Sequence, residues 1–298
     1  GSVVTGNTVS DFEPEETHRK VSVHSSVVHF DWKGVTFNLV DAPGALSFLG
    51  EAKTALRAVD GALIVLGASS GVRAELEKIW LTIKELELPG LLFVNELDKE
   101  RTTWEPVVQD CEKALECKGL PIAIPIGAES KLEGVVDLVG SQAYRSSKDS
   151  PKVQQGAIPG DLSGAAGEAR KKLVEGVAET DDRLLEKYLA EGDLAADEIT
   201  RGLKAGTHAR SFLPILCGSA VRNVGTSVLL DALAAYLPSP VERAALRPQA
   251  GTHPQSGEAV TRLPSPSEPF SGYVFKTIID PFMGRMSYVR VLSGTLEA

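Results

Sequence analysis

Residues 35–44 read Val-Thr-Phe-Asn-Leu-Val-Asp-Ala-Pro-Gly. Apolar residues alternate with others up to Val40, which predicts a strand, and an Asp-x-Pro-Gly loop follows at its carboxyl end. Before this stretch, Val21 to Trp32 is a second extended run. The connection Lys33-Gly34 between the two runs contains a glycine that can adopt the positive φ of a tight turn. Together they predict one antiparallel hairpin.

Helical and strand patterns alternate after this hairpin. Helices are predicted at Ser47 to Ala58, Ala74 to Glu87 and Thr103 to Cys117. Strands are predicted between them, at Ala62 to Leu66 and at Leu91 to Asn95. Strands and helices in turn predict an α/β fold with a mostly parallel sheet.

The pattern changes after Gly127. A short apolar run at Gly134 to Val139 is followed by a polar stretch through Gly164 and then by helices from about Ala165 to Gly206, which predicts an inserted subdomain. A further strand at Phe212 to Leu216 and a helix that ends at Leu237-Pro238 resume the α/β pattern. The Pro- and Gly-rich residues 241–269 predict a linker.

Composition excludes several classes of protein. The formal net charge of -9 disfavours binding to DNA or RNA by general electrostatic attraction, because that requires a concentrated Lys and Arg surface. The sequence has no apolar run of the roughly 20 residues that cross a membrane and no secretory pattern, so the predicted location is the cytoplasm. Cys111, Cys117 and Cys217 lack the spacing of a zinc or disulfide framework and are interpreted as reduced.

The Asp-x-Pro-Gly loop offers groups that suit a phosphate-bound magnesium ion. Asp41, at the end of a strand, can hold the water shell of a Mg²⁺ that bridges two phosphates. Gly44 has no side chain, so its N–H can approach a γ-phosphate oxygen, and the loss of that phosphate would release the following segment. Taken alone, the motif is also typical of an ordinary turn.

Two later strands also end in loops with nucleotide chemistry. The carboxylate of Asp98 can accept from both N1–H and the N2 amine of guanine, which adenine lacks, and Asn95 precedes it in an Asn-x-x-Asp pattern. Ser219 and Ala220 follow the strand at Phe212 to Leu216 and offer backbone N–H groups to guanine O6. Each loop alone is more typical of a helix cap or turn than of a nucleotide site, but their common order predicts a GTP site.

Five further segments resemble one known family. They are Thr8 to Glu16 as a first switch, Arg19 to Val23, Gly134 to Leu138 at the start of an inserted subdomain, Leu237 to Pro240 at a boundary, and Asp280 to Arg285 in a second domain. With the three loops, they make the chain resemble the N-terminal part of translation elongation factor G, particularly its elongation-factor-G-like paralogues.

The resemblance implies a domain organisation. It implies an incomplete P-loop GTPase domain over residues 1–119 and 207–238, with an inserted α+β subdomain over 120–206. A linker over 239–268 and the start of a β-barrel domain over 269–298 follow. The implied ligands are GTP or GDP and Mg²⁺, and the implied partner is the ribosome, with its RNA and proteins; no membrane or DNA partner is expected.

The resemblance also implies residue roles, with two departures. Ser22 stands where the family uses a threonine to bind Mg²⁺ and the γ-phosphate. Ala45 occupies the position of the histidine that orients the attacking water, so the catalytic residue is unknown and slow hydrolysis is expected. Glu96 replaces the lysine that lies along the base and ribose.

The sequence has no G-x-x-x-x-G-K-[ST] loop, which wraps the phosphates in P-loop GTPases. Losing two or three of its charge-assisted hydrogen bonds would weaken nucleotide binding by roughly 3–9 kcal/mol. We therefore interpret the sequence as a fragment of a larger GTPase that is inactive or very weak alone. The alternative is a degenerate, non-hydrolysing module that docks on the ribosome or a protein partner.

Overall fold

The computed structural model describes Ser2 and residues 5–147, 150–253, 255–280 and 282–297. The chain divides into two compact units. Unit 1 consists of residues 1–60, 81–86 and 238–298, and unit 2 of residues 61–80 and 87–237.

The secondary structure is listed in chain order. The α-helices are α1 (Pro14–Arg19), α2 (Leu49–Leu56), α3 (Ala74–Glu85), α4 (Trp104–Leu115), α5 (Ser163–Ala178), α6 (Asp182–Glu191), α7 (Ala196–Ala209), α8 (Thr226–Tyr236) and α9 (Pro240–Leu246). The strands are β1 (Ser26–Trp32), β2 (Val35–Asp41), β3 (Ala62–Gly67), β4 (Gly90–Asn95), β5 (Gly119–Pro121), β6 (Ala123–Ile126), β7 (Gly134–Asp137), β8 (Gln142–Ser147), β9 (Ser150–Gly156), β10 (Leu213–Cys217), β11 (Gln249–Thr252), β12 (Ala259–Arg262), β13 (Ser271–Asp280) and β14 (Gly284–Ser293). Short 3-10 helices lie at Leu46–Phe48 and Glu129–Lys131.

The predicted hairpin is confirmed in unit 1. Strands β1 and β2 pair antiparallel in a two-stranded sheet of their own, in a register that places Ser26 opposite Asp41. Lys33 and Gly34 both have positive φ, at 48° and 83°, which matches the right-handed twist of the two strands. Strand β1 begins at Ser26 and not at Val21, so the preceding residues approach the hairpin as irregular backbone.

Unit 2 contains the predicted parallel sheet. Its strand order is β3-β4-β10-β5, with all three pairings parallel. Leu91, Leu92 and Val94 in β4 are 0% exposed, because a central strand between two neighbours and two covered faces is apolar throughout. Strand β2 pairs along its whole length with β1, in the predicted hairpin.

The inserted region contains more sheet than its composition predicts. Strands β6, β7, β8 and β9 form an antiparallel meander, although β8 and β9 lie in the polar stretch for which no strand was predicted. Helices α5, α6 and α7 follow, as the sequence predicts. Backbone hydrogen bonds pair β8 with β9. Because the side chains of both strands are mostly polar, the sequence shows no apolar alternation that would predict them.

The predicted linker also has regular structure. Helix α8 ends at Tyr236, and Ser239 then begins α9 as its N-cap, with Pro240 in the first turn and Glu242 completing a capping box. Strands β11 and β12 form a hairpin, and β13 and β14 form another. Pro281, in the Asp280 to Arg285 segment, lies outside the described residues.

The two units have interiors of different chemistry. In unit 1 the buried polar residues that the structure describes are Glu16, Ser25, Ser26, Thr82, Arg243 and Ser293, against the apolar Val23, Pro43, Ala52, Ala55, Ala58, Ile83, Pro238 and Ala244. Nearly all other buried residues are apolar and lie in unit 2. No helix among the described residues is long and apolar enough to cross a membrane.

Candidate functional site

The unit 1 candidates gather at one end of the β1–β2 hairpin. Asp41 is the last residue of β2, and its pairing with Ser26 places the start of β1 beside it. Antiparallel partners have Cα atoms about 4.5–5.5 Å apart. The Ser22 to Ser26 segment therefore meets the strand end that carries Asp41, and the loop with Gly44 continues from there.

The side chains of Ser22 and Asp41 are partly exposed and form no hydrogen bond with any described residue. Gly44 is exposed, with open space where a Cβ would lie, and Ala45 follows as the residue before the Leu46–Phe48 turn. A hydroxyl and a carboxylate are hard oxygen donors of the kind that Mg²⁺ binds together with waters and phosphates. The donor set thus fits this ion, while the described residues contain no cluster of three His, Cys, Asp or Glu groups that could hold a metal unaided.

The buried carboxylate of Glu16, which was not among the predicted site residues, holds the segment after Ser22. The Oε1 atom of Glu16 in α1 accepts from the backbone N–H groups of Val23 and His24, both at 3.0 Å, and Oε2 accepts from Glu13 at 3.2 Å. Glu16 is 1% exposed. Burial raises the pKa of its carboxyl, but the backbone hydrogen bonds from His24, Val23 and Glu13 outweigh that effect and lower it.

In unit 2, the structure brings Asn95 and Ala220 into contact. The Ala220 N–H donates to Asn95 Oδ1 at 2.9 Å, which joins the loop after β10 to the end of β4. The Ser219 N–H donates to the Val224 carbonyl at 3.0 Å. Both amides expected to face guanine O6 therefore have protein acceptors in this structure, and Ala220 would have to share its hydrogen or release Asn95 to bind a base.

Gly218 allows this loop to pass close to its own chain. A Cβ at this position would lie 2.0 Å from the Val224 carbonyl oxygen. The Gly218 N–H donates to Val94 at 3.0 Å, and its carbonyl accepts from Leu97 at 3.2 Å. These two hydrogen bonds join the end of β10 to the last residues of β4 and to the Asn95 to Asp98 turn.

Among the unit 2 candidates, Asp98 has a carboxylate that is free to accept hydrogen bonds from a ligand. Its side chain is half-buried, and none of the described residues donates a hydrogen bond to it. The backbone of the preceding Leu97 is anchored through Gly218, and the carbonyl of Leu97 accepts from Glu129 at 2.9 Å. The turn is held in place, and both carboxylate oxygens of Asp98 can accept hydrogen bonds from a ligand. Such a group is suited to bind two adjacent N–H donors.

Glu96 forms a network within the same turn. Lys99 Nζ donates to Glu96 Oε1 at 2.6 Å, and the Ser69 hydroxyl donates to Oε2. Burial raises the pKa of the Glu96 carboxyl, but the hydrogen bonds from Lys99 and Ser69 lower it further than burial raises it. Glu96 has a positive φ of 68°, which turns its side chain into this network. The charge reversal at position 96 is thus compensated locally by Lys99.

The chain is similar to known proteins along its whole length. The chain matches the family described as the elongation factor Tu GTP-binding domain over residues 2–239. It is 37% identical over 298 residues to elongation factor G of Thermotoga maritima, covering 100% of this chain and 43% of that protein. Elongation factor G of Mycoplasma pneumoniae is 36% identical over 299 residues, covering 100% of this chain and 43% of that protein.

A solved structure is also similar. The crystal structure of a Thermus thermophilus protein matches with a TM-score of 0.83 and 28% identity over 99% of this chain and 41% of that chain. The chain therefore spans about two fifths of the length of the relatives it matches.

Proposed function

The chain belongs to the elongation factor Tu GTP-binding domain family, and from that premise we propose that it forms most of the GTP-binding machinery of a translational GTPase that acts on the ribosome in the cytoplasm. In this proposal the GTPase domain covers residues 1–119 and 207–238, and the inserted subdomain covers 120–206. The linker covers 239–268, and a barrel domain starts at 269–298. The similarity to elongation factor G along the whole chain supports this organisation.

Guanine recognition is assigned to Asp98. The observation that carries the assignment is its half-buried carboxylate, which has no donor among the described residues and sits in a turn fastened to the β10 loop. Guanine N1–H and the N2 amine would supply two donors to it. Asn95 holds the Ala220 loop beside this turn, so we assign Asn95, Ser219 and Ala220 to shaping the base site.

Three further residues are assigned to the phosphate side of the nucleotide. Ser22 and Asp41 would hold Mg²⁺, Asp41 through water, and Gly44 would offer its N–H to the γ-phosphate. When bound, Mg²⁺ neutralises phosphate charge. Ala45 cannot orient water, so hydrolysis is expected to be slow unless another group or the ribosome supplies that function.

A base-selectivity experiment tests this proposal. The natural gene product that contains this chain would be titrated with GTP, ATP and xanthosine triphosphate, unmodified and as Asp98→Asn. The variant should bind GTP at least about tenfold more weakly, because it loses a charge-assisted hydrogen bond, and should gain relative affinity for xanthosine triphosphate, whose O2 accepts from an amide. Asp110→Asn in α4 changes an exposed carboxylate in the same unit and should leave all three affinities unchanged.

The second candidate function is a degenerate G domain that docks without a nucleotide cycle. Ala45, the Glu96–Lys99 pair and the occupied N–H groups of Ser219 and Ala220 favour it. An unmodified protein that binds GTP no better than ATP would establish this alternative and overturn the first proposal.

A further inference from the structure

The Ser25 peptide is held from two sides by charged side chains. Glu51 Oε2 in α2 accepts from the Ser25 N–H at 2.9 Å and from the Ser25 hydroxyl at 2.8 Å. Lys276 Nζ in β13 donates to the Ser25 carbonyl oxygen. The positive end of this peptide dipole thus faces a carboxylate and the negative end faces an ammonium group.

Both contacts are partly shielded from solvent, which strengthens them relative to a surface pair. Ser25 itself is 6% exposed. Burial raises the pKa of the Glu51 carboxyl, but the hydrogen bonds from Ser25 and the nearby charges of Lys276 and His24 lower it more, so Glu51 is ionised at neutral pH.

The backbone N–H groups of three consecutive residues, Val23 to Ser25, donate to carboxylates. Glu16 accepts from Val23 and His24, and Glu51 accepts from Ser25. The residue immediately before these three is Ser22, so the backbone that follows it is held by carboxylates from α1 and α2. Glu51 lies in the helix that follows the Asp41 to Gly44 loop, and Lys276 lies 251 residues away from Ser25 in sequence.

We propose that Glu51 and Lys276 are positioning residues that hold the Ser22 to Ser26 segment in the arrangement that binds Mg²⁺ and the γ-phosphate, and so couple α2 and β13 to the nucleotide state. This inference rests on the proposed function. Since coupling is reciprocal, a nucleotide that draws Ser22 toward its γ-phosphate stabilises the two contacts, and loss of the contacts weakens that nucleotide complex.

The test is a Mg²⁺ titration of the natural gene product with a non-hydrolysable GTP analogue or with GDP. Glu51→Gln and Lys276→Met should each raise the Kd for Mg²⁺ about tenfold with the GTP analogue and leave it unchanged with GDP, which has no γ-phosphate. Backbone hydrogen exchange at Ser25 should become faster in both variants. The control variants are Glu85→Gln and Arg285→Met, which change exposed groups of unit 1 and should alter neither quantity.

The outcomes separate the two proposals. Unmodified protein that fails to bind GTP overturns the proposed function. If the unmodified protein binds GTP but the variants weaken the GTP-analogue and GDP complexes equally, or weaken neither, the two residues only support the fold and the positioning role is wrong. A double variant that is no weaker than each single variant supports a shared action through Ser25.

Discussion

At the scale of single residues, the buried carboxyl of Glu16 makes the stability of unit 1 depend on pH. Its carboxyl has a lowered pKa in the folded protein, through hydrogen bonds that outweigh burial. A group with a depressed folded pKa contributes stability that is present above its unfolded pKa, about 4.3 for glutamate, and is lost as the pH falls through the folded value. Unit 1 should therefore lose stability as the pH falls below about 4.3.

Glu16→Gln tests this expectation. The variant should lower the free energy of unfolding at pH 7 by about 1–3 kcal/mol, because a charged acceptor of backbone N–H groups is lost. It should also lose less stability than the unmodified chain on acidification, which urea unfolding at pH 7 and at about pH 3 would measure. Glu15→Gln removes an exposed carboxylate of the same helix and should retain the pH dependence. Identical pH profiles for Glu16→Gln and unmodified protein would contradict the assignment.

The same scale shows what sequence could predict of the site. Asp41, Asn95 and Asp98 are recognisable because each follows a strand in a short motif, and the structure places them at strand ends or in the next turn. Glu16 and Glu51 carry no such signal. Their contacts join positions 7 and 26 residues apart, through irregular backbone that has no periodicity.

At the scale of elements, the sequence predicted strands by their apolar pattern. It identified β2, β3, β4 and β10, whose side chains face a core or alternate across a sheet. It missed β8, β9 and the β11–β12 hairpin, where polar, Pro and Gly residues predominate and backbone pairing determines the structure. It also missed α9, whose capping box of Ser239 and Glu242 lies within the segment that was interpreted as a linker.

The loop after β10 depends on the absence of a side chain at Gly218. Gly218→Ala should lower the free energy of unfolding of unit 2 by about 2 kcal/mol or more, because the new Cβ would meet a backbone oxygen that cannot move alone. Chemical denaturation followed by tryptophan fluorescence measures it.

Gly167→Ala is the matched control for this change. Gly167 lies in α5 with nothing within 4 Å of a built Cβ, so alanine should raise stability by about 0.5–1 kcal/mol through helix propensity. Equal effects of the two substitutions would show that the close approach at Gly218 does not matter.

At the scale of the whole molecule, the two units should differ in stability. Unit 2 holds most of the buried apolar side chains, while the described interior of unit 1 contains nearly as many polar as apolar residues. Apolar burial is the larger stabilising contribution to folding, so unit 1 should open at lower free energy. Hydrogen exchange should be at least about tenfold faster in β1 and β2 than in β4 and β10.

Hydrogen exchange followed by mass spectrometry on the chain tests this order. Gly167→Ala should slow exchange in unit 2 through its effect on α5 and leave unit 1 unchanged. A single common opening rate for β1, β2, β4 and β10 would contradict the expected difference and indicate one cooperative unit.

The Glu96–Lys99 ion pair has a consequence for the kinetics of ligand encounter. A lone lysine at the base site would attract a polyanion over a distance comparable to the Debye length, about 8 Å at physiological ionic strength. Here the ammonium group is held 2.6 Å from a carboxylate, so the pair presents little net charge at a distance. If this turn binds the base as proposed, nucleotide association there would be governed by unassisted diffusion and docking, with a rate constant that varies little with salt.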